Sequence, residues 1–399
     1  MKKLSLFLIG SLLTGAATTT RANYADVVSF FGNLYASSDA AIFPVDGSGL
    51  PAIESAFGPR IQTSTDLYDW HRGIDIDGTL NTDSIVAPIK GYFYDYRTTA
   101  SGGNIVILEH HLSDFGVSSL SYDGKTFTKF YTWYLHLYDD EVAGNATSTD
   151  DIVSGWTKTV GSTPGTAIAQ GTQIGILGDS GAAAAGGDGY GPHLHFELRI
   201  ATNSSLEFQE ANVGSTTQWG FDPHMNPLLL FAPDPLAATP TLTLENPWTP
   251  GSDATLTYTS DANQPLLNTW LVEVTDTTTD AIVASHLLDY NQRIGYDAST
   301  TSTLDDYASG VLLPHVDPLP FGDTATEFAT QLVVPDSWLT GYSSDQYRID
   351  VTATDIWGSA LTTSFSAVPE SPVTGIALAT AALALTLARH RQKNIIPRR

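Results

Sequence analysis

The chain has 399 residues, more than one hydrophobic core usually serves, so we expect two domains. Charged residues make up only 15% of it, and Gly, Ser and Thr are abundant, which is typical of exported all-β proteins. Cysteine is absent, which excludes disulfides and Cys-ligated metal sites.

The charge distribution argues against a nucleic-acid partner. The net charge is −25, and eight of the 18 basic residues lie at the two ends, leaving 10 basic residues against 43 acidic ones. Binding to a phosphate backbone needs clustered Lys and Arg, which the acidic body lacks. The same acidity disfavours adhesion to anionic lipids or wall polymers, and we interpret the negative charge as favouring solubility.

The N-terminus has the pattern of a secretory signal peptide over residues 1–22. Lys2 and Lys3 precede an apolar run from Leu4 to Leu13, and small residues then lead to Ala22, after which cleavage is expected. An uncleaved anchor is the alternative. Residues 23–42 follow as a weakly periodic lead-in segment that can form a short helix.

From residue 43 to 231 the pattern changes to short strands. Gly, Pro, Asn and Asp separate apolar runs, which indicates an antiparallel, barrel-like β-sheet domain. The predicted strands include 85–86, 91–96, 104–109, 127–137 and 173–177. Two stretches, 138–170 and 180–189, are long or rich in small residues, and we expect them to form the walls of a groove.

The stretch from Gly191 to Arg199 alternates strictly between apolar and polar residues. This period of two is the signature of a half-buried strand, so His193 and His195 should leave the same face. A His-x-His pair on one face can direct two nitrogens at one metal ion, although an exposed strand edge could carry the same residues.

Two further segments present a histidine in the same way. His71 and Asp75 are spaced by four and share a face in either a strand or a helix, and His136 shares a strand face with Tyr134. Three such segments, one of which adds a carboxylate, predict a metal site far more specifically than any one of them.

The second half has the pattern of a β-sandwich. A Pro-rich linker at 232–240 precedes about seven alternating segments between 241 and 367, and Tyr347 to Gly358 resembles the closing hairpin of immunoglobulin-like modules. We therefore expect a mostly β protein with an immunoglobulin-like second domain. His286 and His315 lack a partner motif and are interpreted as structural or surface residues.

Residues 368–399 resemble a PEP-CTERM sorting tail. Val368-Pro369-Glu370-Ser371-Pro372 precedes an apolar run from Val373 to Ala388 and a basic stop at Arg389. The resemblance implies an exosortase-type sorting enzyme as partner, a Gram-negative host and transient membrane contact through the apolar run. Ser371 replaces the usual Pro, and a plain C-terminal anchor is the alternative.

Residues 43–231 resemble the LytM/lysostaphin-type zinc endopeptidases, which cut peptidoglycan peptides. The resemblance lies in these segments: Ser55 to Arg60, His71 to Asp75, Val86 to Pro88 with Gly91, Gly103 to Ile107 with His110, Tyr134 to Leu137, Gly171 to Gly178, Gly191 to Glu197, and Asp222-Pro223. It implies an exported Zn²⁺ enzyme in the periplasm, on the outer surface or in the extracellular matrix, with peptidoglycan stem peptides or cross-links as substrate.

By this resemblance, His71, Asp75 and His195 are the zinc ligands, and His136 and His193 are the catalytic residues. A catalytic zinc site keeps three protein ligands and one position for water, which the metal acidifies to a pKa near ~7. The two catalytic histidines are expected to move protons and to stabilise the oxyanion, in an order that the sequence leaves open.

Neighbouring polar residues offer alternatives. Glu197 shares the face of the histidine pair and can orient a ligand, and Asp77 competes with Asp75 as the carboxylate ligand. His110 is interpreted as a packing residue or as one that supports a ligand from outside the metal site, and His224 as structural.

Two other functions stay open. A catalytically inactive wall-binding or regulatory module would typically have lost ligands, whereas all five positions are filled here. A matrix or adhesion protein with a vestigial zinc domain would suit the sorting tail. As an alternative substrate for a peptidase, secreted or matrix proteins would suit the acidic surface.

Overall fold

The computed structural model describes residues 17–46, 53–62, 67–122, 125–138, 148–181, 191–201, 224–231, 239–246, 248–261, 266–290, 312–313, 315–317, 327–342 and 346–367. Most of the predicted signal peptide, the linker and the sorting tail lie outside these residues. So do 139–147 and 182–189 within the two predicted groove walls. No helix among the described residues is long and apolar enough to cross a membrane.

Helices are few and mostly short. They are α1 (Ala17–Tyr35), α2 (Thr149–Val153) and α3 (Asp336–Leu339), with 3-10 turns at Leu112–Phe115 and Pro227–Leu230.

The first half is built from short strands: β1 (Ile53–Ser55), β2 (Gly58–Gln62), β3 (Leu67–His71), β4 (Ile74–Asp77), β5 (Ser84–Val86), β6 (Gly91–Thr99), β7 (Gly103–His111), β8 (Leu120–Tyr122), β9 (Lys125–Phe127), β10 (Lys129–Leu137), β11 (Ala167–Ile168), β12 (Gln173–Ile176), β13 (His193–Ala201) and β14 (His224–Met225). Seven of them form one antiparallel sheet in the order β1-β4-β13-β10-β7-β6-β11, and β14 also pairs with β13. In the described residues this sheet stays open, so the fold is mostly β and antiparallel as predicted but forms no closed barrel.

The second half contains β15 (Thr241–Leu244), β16 (Ala254–Asp261), β17 (Leu267–Asp276), β18 (Ala281–Asp289), β19 (Leu312–Leu313), β20 (His315–Asp317), β21 (Glu327–Val334), β22 (Tyr347–Asp355) and β23 (Ala360–Phe365). Two four-stranded sheets, β15-β16-β21-β19 and β18-β17-β22-β23, supply the apolar residues between them. β16 alternates strictly between buried and half-buried residues, the expected pattern for a strand with one face in a core. Tyr258 of one sheet lies 6.4 Å, ring to ring, from Trp270 of the other.

Helix α1 belongs to the core of the first half. Val27, Phe31 and Leu34 are almost fully buried, and Phe31 lies edge-to-face against Phe130 with ring centroids 5.5 Å apart. The helix begins before Ala22 and includes the first part of the predicted lead-in segment. Aromatic rings bury large areas, so this packing ties residues 27–34 to the sheet.

One three-stranded sheet joins the two halves. β2 pairs antiparallel with β3, and β20 from the second half pairs with β2 in parallel, with Ile61 opposite Val316. The second half is therefore hydrogen-bonded to the hairpin whose last residue is His71.

Candidate metal centre

The five histidine and aspartate side chains predicted from the sequence converge at one end of the large sheet. In the register of β4 and β13, Asp75 lies directly opposite His195, and Asp77 lies opposite His193. On the other side of β13, Leu135 of β10 pairs with His195, and Tyr134 pairs with Phe196 on the opposite, buried face. The prediction that His136 shares a face with Tyr134 is therefore wrong: a register shift after Tyr134 and a left-handed backbone at His136 turn its ring towards the cluster instead.

His71 reaches the centre through a tight turn between β3 and β4. A Cβ atom on Gly73 would lie 2.3 Å from the carbonyl oxygen of Phe196. A side chain at this position would therefore push the turn away from β13 and carry His71 with it.

Three side chains form a cluster that could hold a metal ion. The Nε2 atom of His71 lies 3.1 Å from Oδ1 of Asp75 and 3.0 Å from Nδ1 of His195, and that Nδ1 lies 2.8 Å from the same carboxylate oxygen. Within the part of the chain that the structure describes, this is the one group of His, Asp and Glu side chains close enough to share an ion.

The donor set of this cluster fits zinc. Two imidazole nitrogens and one carboxylate oxygen are ligands that Zn²⁺ accepts, and three protein ligands are the number found in catalytic rather than structural sites. No thiolate is required, in agreement with the absence of cysteine.

The second nitrogen of each imidazole in the cluster is also engaged. Nδ1 of His71 lies 2.8 Å from the carbonyl oxygen of Ala56, to which it can donate. Nε2 of His195 lies 3.0 Å from Oε1 of Glu197. Such outer hydrogen bonds fix the ring orientation and leave Nε2 of His71 and Nδ1 of His195 to face the cluster.

Glu197 is itself held on its other oxygen. The Nε of Arg199 donates to Oε2, and Nε2 of His224 lies 3.4 Å from the same atom. All three residues are at most 4% exposed. His224, predicted to be structural, thus supports a residue that contacts the cluster.

Electrostatics separate the acidic and basic members of the cluster. Burial raises the pKa of Asp75, but the charges of His71 and His193 and hydrogen bonds from His195 and His71 outweigh it and hold that pKa well below its usual range. Burial lowers the pKa of His195, but hydrogen bonds and charge from Asp75 and Glu197 raise it to about 9. His195 therefore carries a proton at neutral pH when no metal is bound, and metal binding must displace that proton.

His136 and His193 lie beside the cluster. Their ring centroids are 4.8 Å apart, and the ring of His136 lies 5.9 Å from that of His195. Nε2 of His193 is 3.6 Å from Oδ1 of Asp75.

Backbone carbonyls orient both of these rings. Nδ1 of His136 lies 2.7 Å from the carbonyl oxygen of Ser180, and Nδ1 of His193 lies 3.0 Å from that of Gly191. A nitrogen that donates to a carbonyl must carry the proton, so Nε2 is the nitrogen of each ring that can accept one. Burial, together with the neighbouring His193 and His195, lowers the pKa of His136 to about 3, so this ring is neutral.

Other sequence candidates lie elsewhere. Asp77 is exposed and does not join the cluster. His110 is fully buried against Phe130, with ring centroids 4.7 Å apart, and His286 stacks on Trp338 at 3.9 Å.

Ser180 belongs to the site as well, although no sequence pattern predicted it as a site residue. Its carbonyl orients His136, while its hydroxyl donates to the carbonyl of Leu137 at 2.6 Å and accepts from the backbone N–H of Asn104. It follows a Gly-rich segment that matched the family pattern, but nothing in that segment indicates a contact with β10.

Comparison with known proteins gives a weak likeness only. No family model and no curated protein matches the chain. Among solved structures, the chain is similar to a putative peptidase M23 from Pseudomonas aeruginosa, with 16% identity, a TM-score of 0.21, and 55% of this chain and 64% of that chain covered. It is also similar to a putative glycyl-glycine endopeptidase LytM from Ruminococcus gnavus ATCC 29149, with 15% identity, a TM-score of 0.22, and 45% and 59% covered.

The chain thus spans less than two thirds of the length of each of these structures. We therefore rest the functional proposal on the geometry of the cluster.

Proposed function

We propose that the chain is an exported zinc endopeptidase of the LytM type that hydrolyses peptide bonds in peptidoglycan stem peptides or cross-links. The observation that carries this proposal is the convergence of His71 Nε2, Asp75 Oδ1 and His195 Nδ1, with two histidines beside them whose Nδ1 atoms face backbone carbonyls. Export is supported by the signal-peptide pattern at 1–22, and a Gram-negative surface by the PEP-CTERM-like tail.

The chemical role proposed for each residue follows from the position of its side chain. His71, Asp75 and His195 would hold a zinc ion, which would supply a Lewis acid and an acidified water molecule. Nε2 of His136 or His193 would act as the proton acceptor in hydrolysis, because Nδ1 of each ring faces a backbone carbonyl to which it can donate. The protonated ring then stabilises negative charge on the scissile carbonyl oxygen and returns a proton to the leaving amine.

The surrounding groups fix the orientation of the ligand rings, His71 and His195. Glu197 and the Ala56 carbonyl keep the two ligand histidines from rotating. Burial of the site removes competing water, which strengthens the charge interactions within it.

Metal content and hydrolysis, measured on the same samples, test the proposal. Wild type is expected to bind about one zinc ion and to release peptides from purified peptidoglycan. His71→Ala should lose both zinc and activity. His193→Ala should keep zinc and lose at least about a hundredfold in activity, the usual contribution of a general acid or base.

His286→Ala is the matched control, because this histidine lies in the second half and outside the cluster. It should keep both zinc and activity. A wild type without zinc would refute the enzyme and favour a wall-binding module. A zinc-loaded wild type that cuts secreted proteins but leaves peptidoglycan intact would refute the substrate.

A further inference from the structure

The sheet face that carries the metal cluster continues as an aromatic patch. On this face Glu197 of β13 pairs with Trp133 of β10, and Trp133 pairs in turn with Ile107 of β7. Trp133, Ile107 and Tyr131 are buried, whereas Tyr94 and Leu135 at the edge of the patch are only partly buried.

Two guanidinium groups reach Trp133 from opposite sides of its strand. The Cζ atom of Arg199, on β13, lies 3.6 Å from the ring centroid, and that of Arg97, on β6, lies 4.6 Å from it. Both distances are within the range of cation–π attraction, so the indole holds both side chains close to the sheet.

The two arginines differ in their charge partners. Arg199 is buried and donates to Glu197. Arg97 is only partly buried, and within the described residues it has no carboxylate partner and its Nε has no hydrogen-bond acceptor.

The neighbouring charges on this face are already matched. Asp95 lies 2.5 Å from Nζ of Lys158, and Glu109 lies 3.0 Å from Nζ of Lys129. Among the described residues, Arg97 is thus the uncompensated cation of this face, in a chain whose net charge is −25.

A partly buried charge without a partner costs free energy, and an acidic chain has carboxylates in excess with which to satisfy it. Arg97 remains partly accessible, and through Trp133 it adjoins the buried pair of Arg199 and Glu197, which in turn contacts the cluster. The planar fork of arginine matches a carboxylate with two parallel hydrogen bonds, which makes an external carboxylate the natural partner.

The spacing suits a peptide bound at the cluster. Trp133 lies one strand and two residues from His195, roughly 8 Å for strands ~4.8 Å apart with a rise of ~3.3 Å per residue. An extended peptide covers that distance, and the further reach to the guanidinium, in about three residues.

We propose that Arg97, held close to Trp133, is a specificity-determining residue that binds a carboxylate of the peptide substrate about three residues from the bond to be cut. This inference rests on the proposed function in that the peptide is held at the metal cluster. The carboxylate comes either from an acidic side chain or from the C-terminus of the peptide.

Binding of matched peptides to a non-cleaving form of the full chain tests the inference. The probe is a fluorescein-labelled stem peptide with a free glutamyl carboxylate and a free C-terminus, and two further versions have one or the other group amidated. Fluorescence polarisation is measured with zinc-loaded His193→Ala. We expect one amidated version to bind about tenfold more weakly, the cost of one charge-assisted hydrogen-bonding partner, and that version identifies the source of the carboxylate.

The second variant removes the guanidinium in the same background. Arg97→Gln should bind all three peptides with the same affinity, whereas Arg97→Lys should keep part of the discrimination because the charge remains. Arg348→Gln, an exposed arginine paired with Asp350 in the second half, controls for net charge and should behave like the parent. A packing role for Arg97 alone would weaken all three peptides equally and leave their ratio unchanged.

Equal binding of the three peptides to the parent, no binding of any of them, or discrimination that survives in Arg97→Gln would each overturn the inference. The proposed peptidase activity and the proposed carboxylate subsite can be refuted separately. If wild type cuts no peptidoglycan but His193→Ala still distinguishes the peptides through Arg97, the carboxylate subsite is supported and the peptidase activity is refuted. If wild type hydrolyses peptidoglycan but the parent does not discriminate, the peptidase stands and the subsite is refuted.

Discussion

His195 is the cluster histidine whose second ring nitrogen is held by a buried charged side chain. Nδ1 faces His71 and Asp75, and Nε2 faces Glu197, which Arg199 and His224 hold in turn. Glu197 is therefore a positioning residue for a metal ligand rather than a ligand itself.

Glu197→Gln should weaken zinc binding about 10- to 100-fold, the usual effect of removing a partner of a ligand histidine. Gln can still accept a hydrogen bond from His195, but it carries no charge to raise the basicity of the ring. Competition with a chromophoric chelator measures the affinity, and circular dichroism checks that the fold is retained.

Asp77→Asn is the matched control, because Asp77 lies two residues from Asp75 and is exposed. Its zinc affinity should equal that of wild type. An unchanged affinity in Glu197→Gln would exclude the positioning role, and a loss in Asp77→Asn would mean that the wrong carboxylate was assigned.

His110 makes the fold sensitive to acid at a distance from the site. Its Nδ1 lies 2.9 Å from the carbonyl of Lys90, and its Nε2 lies 2.8 Å from the hydroxyl of Thr132. Burial lowers its pKa to about 4, although the hydrogen bond to Lys90 and the charge of Glu109 oppose that change.

The unfolded chain therefore binds a proton at His110 that the folded chain refuses between pH 6.5 and pH 4, and the free energy of unfolding falls as the pH falls through this window. The loss is about 3 kcal/mol at its full extent, from about 1.4 kcal/mol for each unit of pKa. In His110→Gln, urea unfolding between about pH 4 and 7 should show a pH dependence that is weaker by this amount.

Phe130→Leu removes the ring that stacks on His110 without removing the titrating group. It should lower stability at every pH and keep the slope of wild type. Equal slopes in wild type and His110→Gln would show that this histidine does not carry the acid sensitivity.

At the residue scale, the sequence could indicate which residues share one face of a strand, but not which residues of other strands lie next to them. Alternation placed His193, His195 and Glu197 on one side of a strand, and spacing placed His71 with Asp75. Arg97 comes close to Trp133 only through the register of β6, β7 and β10, and Ser180 contacts His136 from a loop, and neither neighbour is encoded in a single strand.

At the scale of elements, the end of β10 is the most constrained part of the site. His136 has a φ of +63°, a left-handed conformation that non-glycine residues rarely adopt. Ser180 holds this bend from one side, and a Cβ atom on Gly103 would lie 2.3 Å from the Ser180 backbone.

Gly103→Ala should therefore displace Ser180 and with it His136. Because the ligands lie on β3, β4 and β13, we expect zinc to stay bound while hydrolysis falls at least about tenfold, as a small misplacement of a catalytic group is costly. Zinc content and peptidoglycan hydrolysis are the measurements.

Gly116→Ala controls for the backbone conformation. Gly116 also has a positive φ, of +78°, but nothing lies within 4 Å of the added Cβ among the described residues. It should lose some stability and keep its activity. Equal activities of the two variants would show that Ser180 does not position His136.

The elements also show the limit of periodicity. Strands with one buried face, such as β16 and β22, were evident from alternation. β18 and β20 were not predicted: β18 is an edge strand in which Ile282 and Val283 are both exposed, and β20 is only three residues long. Such strands gain their stability from a partner rather than from an alternating pattern of their own.

At the scale of the whole molecule, the two halves meet at the hairpin that carries His71. β20 pairs with β2, the ring of Tyr290 lies 3.2 Å from the Cβ position of Gly58, and Tyr35 of α1 contacts Trp357 edge-to-face at 5.2 Å. Gly58 is in turn paired with His71. The linker at 232–240 suggested two independent units, but it gave no indication that a short strand would return to the first half.

Because β2 lies between His71 and β20, zinc binding should stabilise the second half as well. A ligand at about one hundred times its Kd adds about 2.7 kcal/mol to the folded state. Hydrogen exchange should therefore slow in β17 and β22 of the sandwich when zinc is added to the full chain, and return to its earlier rate when a chelator removes the metal.

Two variants make this coupling testable. His71→Ala should abolish the response in both halves, because it removes a ligand. Val316→Pro takes a backbone N–H away from β20 and should abolish the response in the sandwich while strands β4 and β13 remain protected by zinc. If zinc protected the first half of wild type and left β17 and β22 unchanged, the pairing of β2 with β20 would transmit nothing, and the sandwich would act only as a tethered second domain.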